Sequence, residues 1–217
     1  NNKVVRLNEG STNRLIGGSI GDMWLRGWKR DSLGRRLVDA DGRSLFSTGE
    51  EYVGNSNPNY MAGLSNSFSY KNFSLSFLID YSNGGVVNAL IQSILDVGGH
   101  SKRTLEGRET GLVLDAYTID GKKNTKSITP ESYWSNLNGV GYVYSATNMR
   151  LRELIFSYNL PAGLLNKTGK IISAAKLSLV GRNLFFFYNK APIDPESFQN
   201  YALPTTRDIG VNLKLAF

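Results

Sequence analysis

Apolar and polar residues alternate strictly along the last eleven residues of the chain, 207–217. One face of an extended strand would carry the apolar residues Ile209, Val211, Leu213, Leu215 and Phe217. The other face would carry Asp208, Gly210, Asn212, Lys214 and Ala216. A strand of about ten residues with one wholly apolar face can cross a bilayer at a tilt. The same pattern also fits the last strand of a soluble β-sandwich, so other segments must separate the two interpretations.

Four further segments repeat the alternation and predict strands over residues 60–70, 73–81, about 147–160 and about 174–188. Only Lys71-Asn72 separates the first two, which predicts a hairpin. In the third, Arg150 and Arg152 share the phase of Leu154, so this part is expected beyond the hydrocarbon. Two weaker signals, around residues 16–28 and 36–45, predict one more pair of short strands.

The fourth segment ends in Phe185-Phe186-Phe187-Tyr188, which has too many aromatic residues for simple alternation. In a membrane barrel such a run would form an interfacial girdle, and in a soluble protein a corner of the core.

The predicted connections alternate between shorter and longer if the strands run up and down. Residues 71–72 and 161–173 form the shorter set, and residues 82–146 and 189–206 the longer. Outer-membrane barrels have short periplasmic turns and long outer loops. Within 82–146, helical spacing from Val86 to Leu95 stops at Gly98-Gly99, and Thr129-Pro130-Glu131 has the signature of a helix start.

Composition excludes several classes of site. The chain has no cysteine and one histidine, so a disulfide framework, a thiolate metal site and a Ser-His-Asp triad lack support. We therefore expect no enzyme activity, no cofactor and no metal. No apolar run reaches the length of about eighteen residues that a spanning helix needs. The start, Asn1-Asn2-Lys3, carries no leader, which predicts the tail of a longer protein.

The formal net charge of +7 raises the question of a polyanionic partner. Lysine and arginine are spread along the chain rather than clustered with aromatic residues, so nucleic acid is not expected. The densest groups, such as Lys29-Arg30 and Arg35-Arg36, fall in predicted loops. These loops suit anionic lipid headgroups or lipopolysaccharide.

A series of short motifs over roughly residues 50–217 resembles the carboxy-terminal part of the SusC/RagA-type TonB-dependent outer-membrane transporters. The earlier motifs are Gly63-Leu64-Ser65-Asn66, Phe73-Ser74-Leu75-Ser76-Phe77-Leu78-Ile79-Asp80 with Gly84-Gly85, and Ser127-Ile128-Thr129-Pro130-Glu131-Ser132-Tyr133-Trp134. The later ones are Asn148-Met149-Arg150-Leu151-Arg152-Glu153-Leu154, Val180-Gly181-Arg182-Asn183-Leu184-Phe185, Pro192-Ile193-Asp194-Pro195-Glu196 and Leu203-Pro204-Thr205-Thr206-Arg207. Their common order makes the resemblance specific, although each string alone is weak.

The resemblance implies an all-β fold: an antiparallel up-and-down transmembrane β-barrel portion, with long extracellular loops that contain short helices. Residues 1–217 would be the carboxy-terminal segment of a larger barrel, with the plug domain and first strands absent. It implies import of glycans or peptides across the outer membrane with a SusD-like surface lipoprotein, energised by the TonB complex through the missing amino-terminal part. Five strands and one weak pair fall below the eight that the smallest membrane barrels need, so an open sheet is expected.

Two groups of candidate functional residues follow. Tyr133, Trp134, Tyr142 and Tyr144, in the long loop, offer aromatic faces for sugars or peptides, or pack the loop against itself. Ile209, Val211, Leu213, Leu215 and Phe217 match the strand that the barrel assembly machinery reads. Arg182 and Asn183 are expected to hydrogen-bond between strands.

The alternative that remains open is a soluble basic β-domain that binds polyanions or a partner protein.

Overall fold

A computed structural model describes residues 7–9, 12–14, 18–137, 139–166, 171–196 and 205–217. The chain divides into two compact units. The loop unit comprises Asn1–Asn57, Gly85–Ser145 and Ala191–Ala202, and the sheet unit comprises Pro58–Gly84, Ala146–Lys190 and Leu203–Phe217.

The described residues form short strands and helices in the loop unit and five longer strands in the sheet unit. The strands are β1 (Leu7–Glu9), β2 (Thr12–Arg14), β3 (Asp22–Trp28), β4 (Leu37–Val38), β5 (Phe46–Asn55), β6 (Tyr60–Tyr70), β7 (Phe73–Asn83), β8 (Val86–Asn88), β9 (Leu112–Val113), β10 (Tyr117–Thr118), β11 (Ser127–Ile128), β12 (Val143–Ser145), β13 (Asn148–Asn159), β14 (Ala174–Asn189) and β15 (Asp208–Ala216). The helices are α1 (Leu90–Val97), α2 (Pro130–Asn136) and α3 (Ala162–Leu165), with 3-10 turns at Lys102–Leu105 and Gly139–Tyr142.

The sheet unit is one antiparallel sheet in the order β15-β14-β13-β7-β6. Each strand pairs with its neighbour among these five along the chain, which is an up-and-down arrangement. Within the described residues the outer strands β6 and β15 each pair on one side only, so the sheet is open. This confirms the expected fold class of a barrel portion that does not close by itself.

One face of this sheet is apolar across all five strands. A cross-strand row at its centre consists of Phe68, Leu75, Phe156, Leu179 and Val211. The next row consists of Tyr70, Phe73, Tyr158, Leu177 and Leu213. Phe68 is 56% exposed and Val211 is 73% exposed, so no described part of this chain covers the face.

The opposite face of the sheet is polar between these two apolar rows. A row of Ser69, Ser74, Ser157, Ser178 and Asn212 crosses the sheet, and the hydroxyls of Ser157 and Ser178 are 2.8 Å apart. Hydroxyl side chains at directly opposed positions can hydrogen-bond to each other across neighbouring strands.

Ion pairs and amides join the strands farther along. Arg182 pairs with Glu153 at 3.3 Å, Arg152 pairs with Asp80, and the Asn183 amide donates to the Thr206 carbonyl at 3.2 Å. Arg152 of β13 also donates to the Asn183 side-chain oxygen in β14 at 3.4 Å, so Arg182 and Asn183 both make the expected contacts between strands.

A bulge in β13 corrects the predicted phase of its arginines. The pairing with β7 steps from Leu151–Ile79 to Glu153–Leu78, so Arg152 is the extra residue. Leu151, rather than Arg150, consequently shares the face of Leu154.

Arg150 points to the opposite face, where it is 2% exposed. Its guanidinium lies 4.1 Å from the centroid of the Phe186 ring, and it donates to the Thr205 hydroxyl at 2.8 Å. The contact also explains the aromatic run. Phe186 packs on this arginine while Phe185 and Phe187 form an edge-to-face pair and are about half exposed.

Two predictions for the loop unit need correction. The segment 36–45 contains only the two-residue strand β4, and the partner of β3 is β5, Phe46–Asn55, which the pattern did not indicate. The helical spacing from Val86 is also misleading, because Val86–Asn88 is a strand that pairs with β12 and the helix begins at Leu90. The predicted helix stop at Gly98 is observed, as is the Thr129 start of α2.

The loop unit has a small core of its own. Val38, Val87, Ala89, Ala116 and Tyr142 are its most buried apolar side chains, each at most 3% exposed. No helix in the described residues is long and apolar enough to cross a membrane.

Candidate functional site

A cluster in the loop unit forms around Arg103, which lies in the 3-10 turn after α1. Its Nε donates to Oδ2 of Asp96 at 2.8 Å, and Nη2 contacts the same oxygen. Nη1 donates to the Tyr144 hydroxyl at 3.1 Å. Gln92 donates to the other oxygen of Asp96 at 2.8 Å. Asp96 is 1% exposed, so this carboxylate is held by hydrogen bonds away from water.

Three aromatic rings complete the cluster. The Arg103 guanidinium lies 4.7 Å from the centroid of the Trp134 ring and 5.4 Å from that of Tyr142. Tyr133 meets Trp134 edge-on, with centroids 4.8 Å apart. The structure thus brings Tyr133, Trp134, Tyr142 and Tyr144 together, as neighbours of one arginine that the sequence pattern did not single out.

The position of α2 fixes two of these rings. Thr129 caps the helix by accepting from the Ser132 backbone N–H at 3.1 Å, and Pro130 occupies the first helical turn. The Asn136 amide then donates to the Ser44 carbonyl at 3.0 Å, and Arg43 donates to the Ser132 hydroxyl at 3.2 Å. These contacts anchor the helix to the segment after β4, so Tyr133 and Trp134 face Arg103 from a fixed element.

Burial and hydrogen bonding in the cluster shift the pKa values of Asp96, Arg103 and Tyr142. Burial alone raises the pKa of Asp96, but hydrogen bonds from Arg103, Gln92 and Ser101 outweigh it and hold that pKa below its ordinary value. The hydrogen bonds that Arg103 donates to Asp96 likewise raise the pKa of Arg103. Burial, assisted by the Asp96 charge, raises the pKa of Tyr142 to about 12. At neutral pH the cluster therefore holds a charged pair beside the neutral phenol of Tyr142.

The four predicted aromatic residues differ in their exposure to solvent. Tyr142 is 1% exposed, and its hydroxyl makes no hydrogen bond to a described residue. The Trp134 indole N–H is also buried and without a partner among the described residues. Tyr133, Trp134 and Tyr144 remain partly accessible. Tyr142 therefore packs the loop, whereas the other three rings are open to an additional contact.

A pocket of about 460 Å³ adjoins Trp134. Its lining also includes the end of α1, the start of α2 and the side chains of Thr104, Arg108 and Glu131. Arg108 is held by hydrogen bonds to the backbone carbonyls of Thr104 at 3.1 Å and Gly99 at 3.0 Å. The pocket thus combines an aromatic wall with the cationic Arg108 and the carboxylates of Asp96 and Glu131, a lining suited to a polar organic ligand.

The terminal strand residues lie where their pattern predicted. Ile209, Val211, Leu213 and Leu215 line the apolar face of the edge strand β15, and Phe217 follows it with 84% exposure. Their role in assembly stays a prediction.

Within the described residues, no group of three or more histidine, aspartate or glutamate side chains could hold a metal ion.

Sequence reasoning missed Asp96 and Arg103. The periodicity of α1 gave no signal for the pair, because Asp96 follows Gln92 by four residues on the polar side of the helix, where a carboxylate is ordinarily solvated. Arg103 lies seven residues farther on.

Comparison with known proteins gives no matching family model. The TonB-dependent receptor P3 of Formosa agariphila is 28% identical over 189 residues, which cover 86% of this chain and 18% of that receptor. The TonB-dependent receptor P26 of the same organism is 26% identical over 212 residues, covering 88% of this chain and 20% of that receptor. The chain thus spans about a fifth of the length of these relatives.

The solved structure of the RagAB peptide transporter matches 98% of this chain and 24% of its own chain, with a TM-score of 0.60 and 18% identity. Together the comparisons confirm that the chain resembles a portion of a SusC/RagA-like TonB-dependent receptor. Its open antiparallel sheet corresponds to part of such a barrel.

Proposed function

We propose that this chain is the carboxy-terminal segment of an outer-membrane TonB-dependent transporter. In this proposal the strands of the sheet unit cross the lipid and the loop unit lies in extracellular loops that contact ligand. The observation that carries the proposal is the apolar face shared by five strands, which no described residue of the chain covers.

The apolar face argues against the soluble alternative. Each exposed Leu or Phe would gain roughly 1.5–3 kcal/mol by leaving water, and soluble monomers rarely leave such side chains contiguous. Lipid supplies the missing cover, while the serine row on the other face suits a water-filled lumen. The strands, nine to sixteen residues long, are sufficient to cross a bilayer.

The partners follow from the resemblance. They are a SusD-like surface lipoprotein, the TonB complex through the part of the receptor that precedes this chain, the barrel assembly machinery, and outer-membrane lipid with lipopolysaccharide. The transported ligand is a glycan or a peptide, and RagAB is a peptide transporter. The similar proteins carry names of receptors and a transporter, which supports a role without enzyme activity.

Ligand contact is assigned to the loop cluster. Tyr133, Trp134 and Tyr144 retain accessible ring surface, and the pocket beside Trp134 has charged groups of both signs. Tyr142 contributes indirectly by holding Arg103 in place.

Single-cysteine spin labelling tests the lipid-facing assignment, since this chain contains no cysteine of its own. Labels would be placed at Leu179→Cys on the apolar face and Ser178→Cys on the serine face, in the intact receptor in lipid vesicles. The label at 179 should collide frequently with oxygen, which concentrates in hydrocarbon, and the label at 178 with a water-soluble nickel complex.

Adjacent positions on one strand form the matched control, because their depth is nearly the same. Equal accessibility of both labels to the nickel complex, or recovery of the receptor in a detergent-free soluble fraction, would contradict the proposal.

A further inference from the structure

Arg30 and Arg36 lie directly opposite each other in an antiparallel bridge. Directly opposed residues have their side chains on one face, and like charges in this position destabilise the pair. Both side chains are exposed. In the part of the chain that the structure describes, neither guanidinium forms an ion pair with a carboxylate, whereas Arg35 next to them does.

The nearest carboxylate along the chain is already saturated. Oδ1 of Asp31 accepts from the backbone N–H groups of Leu33 and Arg35, both at 2.9 Å. Oδ2 accepts from Nε of Arg35 at 2.7 Å and pairs with its Nη2 at 2.7 Å. Asp31 and Arg35 therefore neutralise each other, and the two opposed arginines leave an uncompensated double positive charge.

Both guanidinium groups are held in place before any ligand arrives. Arg36 lies 4.3 Å from the centroid of the Trp28 ring, which itself stacks on Phe46 with centroids 4.9 Å apart. Stacking occupies a face of the guanidinium and leaves its N–H edges available. Arg30 donates from Nη1 to the Gly34 carbonyl at 2.7 Å, which uses one of its five donors.

The hairpin that carries the pair is tightly closed. The Asp31 backbone N–H donates to the Arg35 carbonyl at 3.1 Å, and that of Gly34 to the Asp31 carbonyl at 3.0 Å. Gly34 adopts φ +78, a conformation that glycine reaches without strain. The separation of the two arginine backbones is therefore fixed.

We propose that Arg30 and Arg36 form an oxyanion-binding site that takes a sulfate or phosphate group of a ligand. The planar, bidentate donor edges of arginine match such groups, and a bound anion removes the repulsion between the two cations. The site lies in the loop unit, uses two arginines that take no part in the Asp96–Arg103 pair, and goes beyond the transport role proposed above. Sulfated or phosphorylated saccharides, including the phosphates of lipopolysaccharide, present this chemistry.

Calorimetric titration of the intact, detergent-solubilised receptor tests the site. The probes are a sulfated oligosaccharide, a phosphorylated oligosaccharide and their neutral counterpart, at physiological ionic strength. The double variant Arg30→Gln/Arg36→Gln should bind the charged probes about tenfold more weakly or worse, and the neutral probe unchanged. Lys29→Gln is the matched control, because alternation places this exposed lysine on the opposite face.

Two results would overturn the proposal. One is a wild-type receptor that binds neither charged probe more tightly than the neutral one. The other is an equal loss in Lys29→Gln, which would indicate only general attraction to a basic surface. If a charged probe does bind at the pair, the preferred one identifies the oxyanion, and a preference for phosphate is followed by comparing vesicles with and without lipopolysaccharide.

Thermal unfolding separates loss of the site from loss of the fold. Without probe, the double variant should unfold at the same temperature as wild type or higher, since it removes a like-charge repulsion. The sulfated or phosphorylated probe should raise the wild-type midpoint and leave that of the variant unchanged. Arg36→Lys keeps the positive charge but loses the planar guanidinium that stacks on Trp28 and can donate two parallel hydrogen bonds. This variant should also bind the charged probes more weakly. Wild-type affinity in Arg36→Lys would contradict the proposed site.

Discussion

Arg103 donates from Nε to Oδ2 of Asp96 at 2.8 Å, and the Asp96 side chain is wholly shielded from solvent. The pair links the end of α1 to the 3-10 turn that follows it, and through Arg103 to the rings of Trp134 and Tyr142. One ion pair thus connects four elements of the long loop between β7 and β13: α1, α2 and both 3-10 turns.

Replacing Arg103 with alanine should destabilise the loop unit. Removing one partner of a fully buried ion pair costs about 3–5 kcal/mol because the other charge stays uncompensated. The Arg103 side chain is 36% exposed, so solvent screening lowers the expectation to about 2 kcal/mol. Hydrogen exchange of the α1 amides in the intact receptor measures the change. Lys102→Ala, at the exposed neighbouring position, should leave these amides protected, and equal exchange in both variants would contradict the prediction.

The Asp96–Arg103 pair also predicts acid sensitivity. The pKa of Asp96 is lower in the folded loop than its ordinary value of 3.8, so its contribution to stability is complete above that pH. It is lost as the pH falls below 3.8 towards the folded pKa. Proteolysis of the loop by an acid-active protease should therefore accelerate only below about pH 4 in wild type. In Asp96→Asn this acceleration of proteolysis below about pH 4 should disappear. An acceleration in wild type that begins near pH 6 would indicate that another group is responsible.

Tyr142→Phe should be neutral or slightly stabilising at neutral pH. The change keeps the ring against Arg103 and removes a buried hydroxyl that has no hydrogen-bond partner among the described residues. Because the folded pKa is raised from 10.0 to about 12, wild-type stability should fall as the pH rises through this range. Chemical denaturation at pH 8 and pH 11 should show this loss in wild type and a smaller loss in the variant. A cost of about 1 kcal/mol at pH 8 would reveal a hydroxyl partner.

Trp134→Ala in the intact transporter should weaken ligand binding at the cell surface and reduce uptake. The variant removes the aromatic wall of the pocket and the ring beside Arg103. Trp134→Phe, which retains a ring, should preserve most of the binding. Unchanged binding and uptake in the alanine variant, with α1 amides still protected, would show that the ring serves packing alone.

Deleting Phe217, or replacing it with aspartate, should deplete the receptor from the outer membrane. The residue is 84% exposed at the end of an edge strand, so loss of core packing does not account for such a defect. Quantified outer-membrane yield is the primary measurement, and ligand affinity of the inserted molecules should stay near normal. Ser173→Asp, a comparable charge at an exposed position outside the strands, is the control. Normal yield with weakened affinity would count against an assembly role.

The five long strands could be predicted from the pattern of apolar and polar residues. Their boundaries agree with the structure to within about two residues, because a period of two with one wholly apolar face has few alternative interpretations. The tight turn at Lys71-Asn72, the Thr129 start of α2 and the stop at Gly98 are equally local, since each depends on the conformational preference of one or two residues. The open sheet followed from the number of strands.

Contacts between residues far apart in the chain depend on tertiary packing and could not be predicted from the local pattern. The bulge at Arg152 reverses the phase of Arg150, and nothing in the local pattern signals one extra residue. Val86–Asn88 is a strand because β12 offers it a partner more than fifty residues away, which overrides its helical spacing. Asp96 and Arg103 form a buried ion pair, whereas Arg30 and Arg36 oppose each other without a carboxylate partner among the described residues. Both properties depend on packing, which the sequence period does not report.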